Sequence, residues 1–438
     1  MRCLFFIFCF NCFLSFSQNT DEKLAAQYFN DKKYQEAADL YEKLASKQLE
    51  SVYYYDNLLQ CYVLLNDFKS AEKLVDKRIR KFNEIYTYRV DKAYLFQLQN
   101  LDDKKEDVFK SLLKIQILSS DQADLLANAF LKRRFYTQAI EVYIEARKSL
   151  KDELLFAYNL TDLYFYSSNV DLATLELVKM AGYSEYMIEE VKNKFVIAYN
   201  NPNQYKILSN TLLAQLQKKP DNYAYNDLLV WSFTQQKDWN GALIQSKAVD
   251  KRLKEEGRKL LELAPLLILN EEYEYAIKCF EYVKSLGADK RYYYQAQQGV
   301  LNCGIMQVKL RNGASPERLL AMEKEYLSFI SNNGVNWQTA EQIKELSELY
   351  IYYMKEAPRA IAQLNQVMGI PGVNPKLLAA CKLALGDAQL IVGETWEADL
   401  LYKQVEKAFA NDALGQEAKY RYARCVTIAQ NSHGAKPN

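Results

Sequence analysis

A period of 34 residues dominates this sequence. Large side chains stand at Tyr34, Phe68 and Tyr136, which are separated by multiples of 34 positions. The positions three residues further on carry Ala37, Ala71, Lys105, Ala139, Ala173 and Ile207. A fixed period of this length predicts stacked helix-turn-helix units in which each unit contacts only its neighbours.

Each repeat divides into two helical stretches around a short polar turn. In the first repeat, Tyr34, Ala37, Tyr41 and Leu44 follow one another at spacings of three and four, so they share one helix face. The alanine is small because two helices approach closely there, and the aromatic residues fill the space beside it. Only 14 glycines and 8 prolines occur in 438 residues, which also favours an all-α chain.

These motifs resemble the tetratricopeptide repeat family. The first helix of a repeat carries the pattern Leu24-Ala25-x-x-Tyr28 or Leu126-Ala127-x-x-Phe130, and the second carries Phe68-x-x-Ala71 or Tyr136-x-x-Ala139. The resemblance is weak in the third and sixth repeats, where Lys105 and Ile207 replace the small residue. It implies an all-α, right-handed α-solenoid of roughly eleven units, which binds another protein or peptide in a concave groove lined by the first helices.

The repeats are more regular in the first part of the chain. We expect a signal peptide at residues 1–17, a regular array at 18–310, a looser array at 311–430 and a disordered tail at 431–438. The looser array begins with Arg311-Asn-Gly-Ala-Ser-Pro316, which has the composition of a loop. The tail shows no apolar periodicity.

The N-terminus has the pattern of a secretory signal peptide. Arg2 precedes an almost wholly apolar run, and the small residues Ser15 and Ser17 predict cleavage before Gln18. No second apolar run of about twenty residues occurs, so we expect no transmembrane span after cleavage. With the resemblance, this predicts export across the inner membrane of a bacterium to the periplasm or the periphery of the outer membrane. Peripheral association with the envelope stays open.

The residues for common catalytic chemistry are missing from the sequence motifs. The single histidine is His433, and there is neither a glycine-rich phosphate loop nor a zinc motif. Lysine and arginine number 56 against 55 acidic residues, so no overall positive field attracts nucleic acid. We therefore expect no catalytic residues, no cofactor and no metal, and a scaffold that binds protein and not nucleic acid.

Offsets within the repeat place several polar and aromatic residues on the inner wall of the groove. Aromatic rings and side-chain amides suit a bound polypeptide, because they offer flat apolar contact and hydrogen bonds. The candidate binding residues are Asn57, Tyr94, Asn128, Tyr158, Asn159 and Trp231. Two alternatives stay open: a glycan-binding protein of similar repeat fold at the outer membrane, and an enzyme of unrecognised type.

Two short basic runs are expected to be solvated surface. Lys77-Arg78-x-Arg80-Lys81 falls late in a predicted helix, where cations complement the negative end of the helix dipole. Lys132-Arg133-Arg134 falls at a turn between two predicted helices. Neither run is long enough to predict a site for nucleic acid.

Overall fold

The computed structural model describes residues 20–82 and 84–434, with side chains as far as residue 425. The predicted signal peptide and its cleavage site before Gln18 lie outside the described residues. All regular elements within the described ranges are helical, and none is a strand, which confirms the all-α class. None of the described helices is both long enough and apolar enough to cross a membrane.

The chain divides into two compact units after Ala198. This division falls inside the sixth predicted repeat, where Ile207 occupies the small-residue position. It does not coincide with residue 311, where the sequence predicts a change from regular to looser repeats. The helices of the first unit are α1 (20–30), α2 (Tyr34–Lys47), α3 (Val52–Leu64), α4 (Phe68–Lys81), α5 (Tyr86–Leu98), α6 (Asp102–Leu113), α7 (Ser120–Lys132), α8 (Tyr136–Leu150), α9 (Ala157–Tyr166), α10 (Val170–Tyr183) and α11 (Ile188–Ala198).

The second unit continues the alternation of first and second helices. Its helices are α12 (Pro202–Lys218), α13 (Tyr223–Gln235), α14 (Trp239–Leu253), α15 (Arg258–Leu269), α16 (Tyr273–Ser285), α17 (Tyr293–Leu310), α18 (Pro316–Asn333), α19 (Ala340–Leu349), α20 (Ala357–Met368), α21 (Pro375–Ile391), α22 (Thr395–Ala408) and α23 (Ala413–Gly434). A π-helical segment, Tyr350–Met354, follows α19 directly. In both units, consecutive helices pack against each other as antiparallel pairs joined by short turns.

The column of small residues lies at the centre of the core. Ala37, Ala71, Ala139 and Ala173 have no solvent exposure, as the repeat pattern predicts. Around Ala139 the buried rings of Phe130 and Tyr143 belong to the same apolar cluster. Larger residues at these positions would overlap the facing helix, because protein interiors are close-packed.

Lys105 is the exception to this column in the first unit. Its side chain is only 17% exposed, and its ammonium reaches Asp102 at 2.7 Å. The aliphatic stem of Lys105 can therefore pack at the position that alanine occupies in the other repeats of the first unit, while its ammonium remains at the surface.

The turns inside the repeats share one backbone conformation. The left-handed residues follow the same period, with φ between 55° and 61° at Lys32, Asn66, Asn100, Arg134, Ser168, Lys237 and Glu271. The next residue donates its N–H to the carbonyl five positions earlier, for example Lys33 to Tyr28 at 2.9 Å and Asp67 to Tyr62 at 2.9 Å. This is the Schellman arrangement, which satisfies the last carbonyls of the first helix.

The C-terminal helix is longer than the sequence pattern predicts. α23 continues to Gly434, past residue 431, where the predicted tail begins. The helix can continue because no glycine or proline occurs between Gln416 and His433. Residues 435–438, the rest of the predicted tail, lie outside the described residues.

The five cysteines of the described chain are buried and free of disulfides: Cys61, Cys279, Cys303, Cys381 and Cys425. Burial raises the pKa of the Cys61 thiol to about 11 and that of the Cys279 thiol to about 12. These side chains therefore act as small apolar residues of the helix interfaces.

Candidate functional site

Two columns of side chains on the first helices of the first unit form what we call the first-helix face. They lie eleven and eight residues before the anchor position of each repeat, on α3, α5, α7, α9 and α11. The first column is Asn57, Asp91, Leu125, Asn159 and Asn193, and the second is Gln60, Tyr94, Asn128, Asp162 and Val196. This face includes four of the predicted binding residues, and a fifth, Tyr158, lies next to Asn159.

The part of this face on α5 is occupied by the protein's own side chains. Asp91 is completely buried and accepts hydrogen bonds from Tyr55 Oη at 2.7 Å and from Arg133 Nε at 2.6 Å. The Arg133 guanidinium also lies 4.6 Å from the centre of the Tyr94 ring, within cation–π range. Tyr94, a predicted binding residue, is therefore half-buried beneath an arginine of the same unit.

The electrostatics of this cluster follow from its burial. Desolvation, followed by the neighbouring Asp91 carboxylate, raises the pKa of the Tyr55 phenol well above its ordinary value. Burial opposes the charge on Arg133, but the Asp91 carboxylate outweighs it and raises the pKa of the guanidinium. The cluster therefore consists of a carboxylate held between a neutral phenol and a permanent cation.

A second pair connects α7 with α3. Lys132 Nζ lies 2.7 Å from Asp56 Oδ1, although the two residues are 76 positions apart. Both side chains are about one-third exposed, which makes this a surface pair. Lys132 and Arg133 belong to a basic run that the sequence predicts to be solvated. In the structure, they instead pair with acids on two preceding first helices, Asp56 on α3 and Asp91 on α5.

The first-helix face becomes open from α7 onward. Leu125 is 65% exposed and Val196 is 56% exposed, and the amides Asn128, Asn159 and Asn193 are exposed with them. We call the part of the first-helix face on α7, α9 and α11 the open face. It combines apolar side chains with amides, and its position follows from the repeat register.

Hydrogen bonds hold the polar groups of the open face in place. Asn128 donates to Asp124 at 2.8 Å, and Tyr143 Oη donates to the other oxygen of Asp124 at 3.0 Å. Asn159 donates to the Tyr143 hydroxyl at 3.4 Å, so the two amides belong to one network. The ring of Tyr158 is half-buried, and its hydroxyl donates to Glu190 on α11 at 2.7 Å.

The remaining predicted residues lie apart from this network. Asn57 is half-buried and donates to the backbone carbonyl of Tyr53 in its own helix at 2.8 Å. Trp231 belongs to α13 of the second unit, where its half-buried ring meets Tyr205 edge-to-face at a centroid distance of 5.7 Å. Leu125 was missed by the sequence analysis, although it stands in the column that runs from Asn57 to Asn193.

A carboxylate cluster of similar construction occurs in the second unit. Asp387 on α21 accepts hydrogen bonds from Tyr402 Oη at 2.6 Å and from Arg421 at 2.5 Å, and Tyr352 donates to it as well. Burial, followed by Asp387, raises the pKa of the Tyr402 phenol above its ordinary range. In the first unit, Tyr55, Asp91 and Arg133 thus connect α3, α5 and the end of α7. In the second unit, Tyr352, Asp387 and Arg421 connect the π-helical segment after α19 with α21 and α23. Within the described residues, no group of three or more His, Cys, Asp or Glu side chains is arranged to hold a metal ion.

Several solved structures are similar to this chain. The TPR domain of P58(IPK) is 15% identical, with 94% of this chain and 99% of the other covered and a TM-score of 0.24. Yeast Tom70 is 13% identical, with coverages of 94% and 96% and a TM-score of 0.33. A tetratricopeptide repeat protein from Parabacteroides merdae is 15% identical, with coverages of 69% and 98% and a TM-score of 0.30. No protein-family model and no curated protein matches the sequence.

The repeat type is therefore defined by the chain's own columns. The antiparallel helix pairs, the buried alanine column and the left-handed turn residue all recur with one period of 34 residues in the first unit. The chain is an α-helical repeat protein built of helix-turn-helix units, which resemble tetratricopeptide repeats in their period and in their packing.

Proposed function

We propose that the protein is a non-catalytic scaffold that binds a polypeptide segment of a partner on the open face of the first unit. The observation that carries this proposal is the exposure of Leu125 beside the amides Asn128 and Asn159. A leucine that is 65% exposed offers apolar area, and side-chain amides both donate to and accept from a peptide backbone.

The charges of the open face favour a peptide over a nucleic acid. The acids Asp124, Asp162 and Glu190 lie along it, whereas Lys194 is paired with Asp162 at 3.2 Å. A surface of this kind has no excess of cations for phosphate groups. It suits a segment that carries apolar side chains and some positive charge.

The test of this function uses peptides selected from a random library on the full-length protein. In the triple variant Leu125→Ser/Asn128→Ala/Asn159→Ala, the affinity for the selected peptides is expected to fall at least about tenfold, which corresponds to about 1.4 kcal/mol. A few central residues usually contribute most of the binding energy, and all three altered side chains are exposed, so the helix content should stay unchanged. Fluorescence anisotropy measures the affinity, and circular dichroism checks the helix content.

The matched control is Tyr94→Ala with Trp231→Ala, because both rings are half-buried against their own unit. This variant should retain the peptides within about twofold. If the control loses the peptides and the triple variant retains them, binding occurs through the aromatic residues, and the open face is not the site.

We also propose that the protein is exported to the periplasm or the periphery of the outer membrane of a bacterium and acts there in the cell envelope. This proposal rests on the N-terminal sequence alone, with Arg2, the apolar run and the small residues Ser15 and Ser17. N-terminal sequencing of the protein isolated from its source is expected to begin at Gln18. A retained Met1, or a lipid on Cys12, would contradict cleavage by an ordinary signal peptidase.

A further inference from the structure

Helix α4 carries a row of four lysines on one face. Lys69, Lys73, Lys77 and Lys81 follow one another at intervals of four residues, and all four are exposed. Residues at this spacing are neighbours on a helix surface, and like charges placed there destabilise the helix. We call this row the lysine stripe.

The acids of α4 do not neutralise the stripe. Asp76 pairs with Lys92 at 2.7 Å, and Glu72 accepts a hydrogen bond from Gln99 at 2.8 Å, so both acids face α5. Among the described residues, no carboxylate lies within ion-pairing distance of Lys73 or Lys77. Lys73 and Lys77 therefore form no ion pair in this part of the chain, although the charges of Lys69 and Lys73 act on the Asp67 carboxylate that caps α4.

A groove lies beside the stripe, between the second helices α2 and α4. It has a volume of about 310 Å³, and its lining includes the apolar residues Leu58, Tyr62, Ala45 and Leu74, the lysines Lys73 and Lys77, and one acid, Glu42. Leu58 and Tyr62 are less than a tenth exposed, whereas the two lysines are exposed. The groove therefore combines a recessed apolar floor with a rim on which two exposed lysines outnumber one exposed glutamate.

Another groove in the same unit has a different charge. It lies against α8 and includes Lys114, Lys148, Glu141 and Glu145, so its lysines and acids balance. Lys148 also lies 3.7 Å from Glu145. The unbalanced positive rim is thus a property of the α2–α4 groove and not of every groove between second helices.

We propose that the α2–α4 groove binds an acidic amphipathic helix of a partner protein. Residues four apart on a helix are separated by about 6 Å along its axis, so glutamates at that spacing would face Lys73 and Lys77 in register. Apolar side chains of the same helix would enter the groove and cover its floor. A flat anionic membrane could meet the lysine tips but could not fill the recessed floor. This site is separate from the open face and does not depend on the function proposed for it.

The test uses a synthetic helical peptide of about 20 residues, with glutamate at every fourth position and leucine on the adjoining face. Its affinity for the full-length protein is expected to fall at least about tenfold in the Lys73→Glu/Lys77→Glu variant. Raising the salt from about 50 to about 300 mM should weaken binding to the unaltered protein. The charge-reversed helix should keep its structure, because Lys69 and Lys81 then gain opposite charges four residues away.

The control variant is Lys114→Glu/Lys148→Glu, which makes the same charge change at the balanced groove and should bind the acidic peptide as before. A peptide with lysine in place of glutamate should bind the charge-reversed variant in preference to the unaltered protein. Equal binding of the acidic peptide to both proteins, or no binding at about 1 mM, would overturn the proposal. So would binding of phosphatidylglycerol vesicles that depends on Lys73 and Lys77 without binding of the peptide.

Discussion

Replacing Asp91 by alanine is expected to lower the free energy of unfolding by about 3–5 kcal/mol. Asp91 is completely buried and accepts hydrogen bonds from both Tyr55 and Arg133. Its removal takes away the carboxylate that accepts the hydrogen bond of the Arg133 guanidinium in a largely desolvated position. Urea unfolding followed by circular dichroism measures the change.

The sequence offers a matched control for this prediction. Asp56 pairs with Lys132, the residue next to Arg133, but that pair is about one-third exposed. Asp56→Ala should therefore cost no more than about 1 kcal/mol, because solvent screens exposed ion pairs. Equal losses in the two variants would show that burial does not decide the strength of the Asp91 cluster.

Much of the fold follows from the period of the sequence. The alanine column, from Ala37 to Ala173, predicts where helices approach closely, and these residues are fully buried. The turns inside the repeats are harder to predict, because none of their seven left-handed residues (Lys32, Asn66, Asn100, Arg134, Ser168, Lys237 and Glu271) is a glycine. Lysine, asparagine and arginine adopt that conformation here because the Schellman bonds and the packing of both flanking helices determine it.

For the candidate site, the sequence predicts only which residues lie on the first helices. Offsets in the repeat place Tyr94 and Asn128 on the first helices, and the structure has them there. The covering of Tyr94 by Arg133 and the pairing of Lys132 with Asp56 join residues from different repeats. Such pairings depend on the rotamers of long side chains and on the distance between alternate first helices, which a one-dimensional period does not contain.

The second unit contains a buried carboxyl group with an altered pKa. Glu345 on α19 is 6% exposed, and Tyr326 Oη donates a hydrogen bond to it at 3.0 Å. Burial raises the pKa of Glu345 from 4.5 to about 7, the nearby Glu341 and Glu348 add to the rise, and Tyr326 and Lys344 oppose it. The group therefore changes charge near neutral pH while it is enclosed by the helix packing.

The sign of the stability change follows from the two pKa values. Between pH 4.5 and about 7, the unfolded chain has released the proton of Glu345 and the folded protein still holds it. Because the unfolded state then binds fewer protons, the free energy of unfolding falls as the pH rises through this window. Below pH 4.5 the Glu345 carboxyl is protonated in both states. Above about pH 7 it is ionised in both states, and burial of the carboxylate then lowers the free energy of unfolding.

The variant Glu345→Gln is therefore expected to be more stable than the unaltered protein above neutral pH. The gain should be on the order of 3 kcal/mol near pH 8, since each pKa unit corresponds to about 1.4 kcal/mol, and it should shrink to nearly nothing near pH 4. Glutamine keeps the acceptor for Tyr326 without the charge.

Urea unfolding at several pH values measures the effect, with Glu325→Gln as the control because Glu325 is exposed on α18. A Glu345→Gln variant that loses stability at every pH would mean that the carboxylate is stabilised where it lies, and that its burial does not make folding pH-dependent.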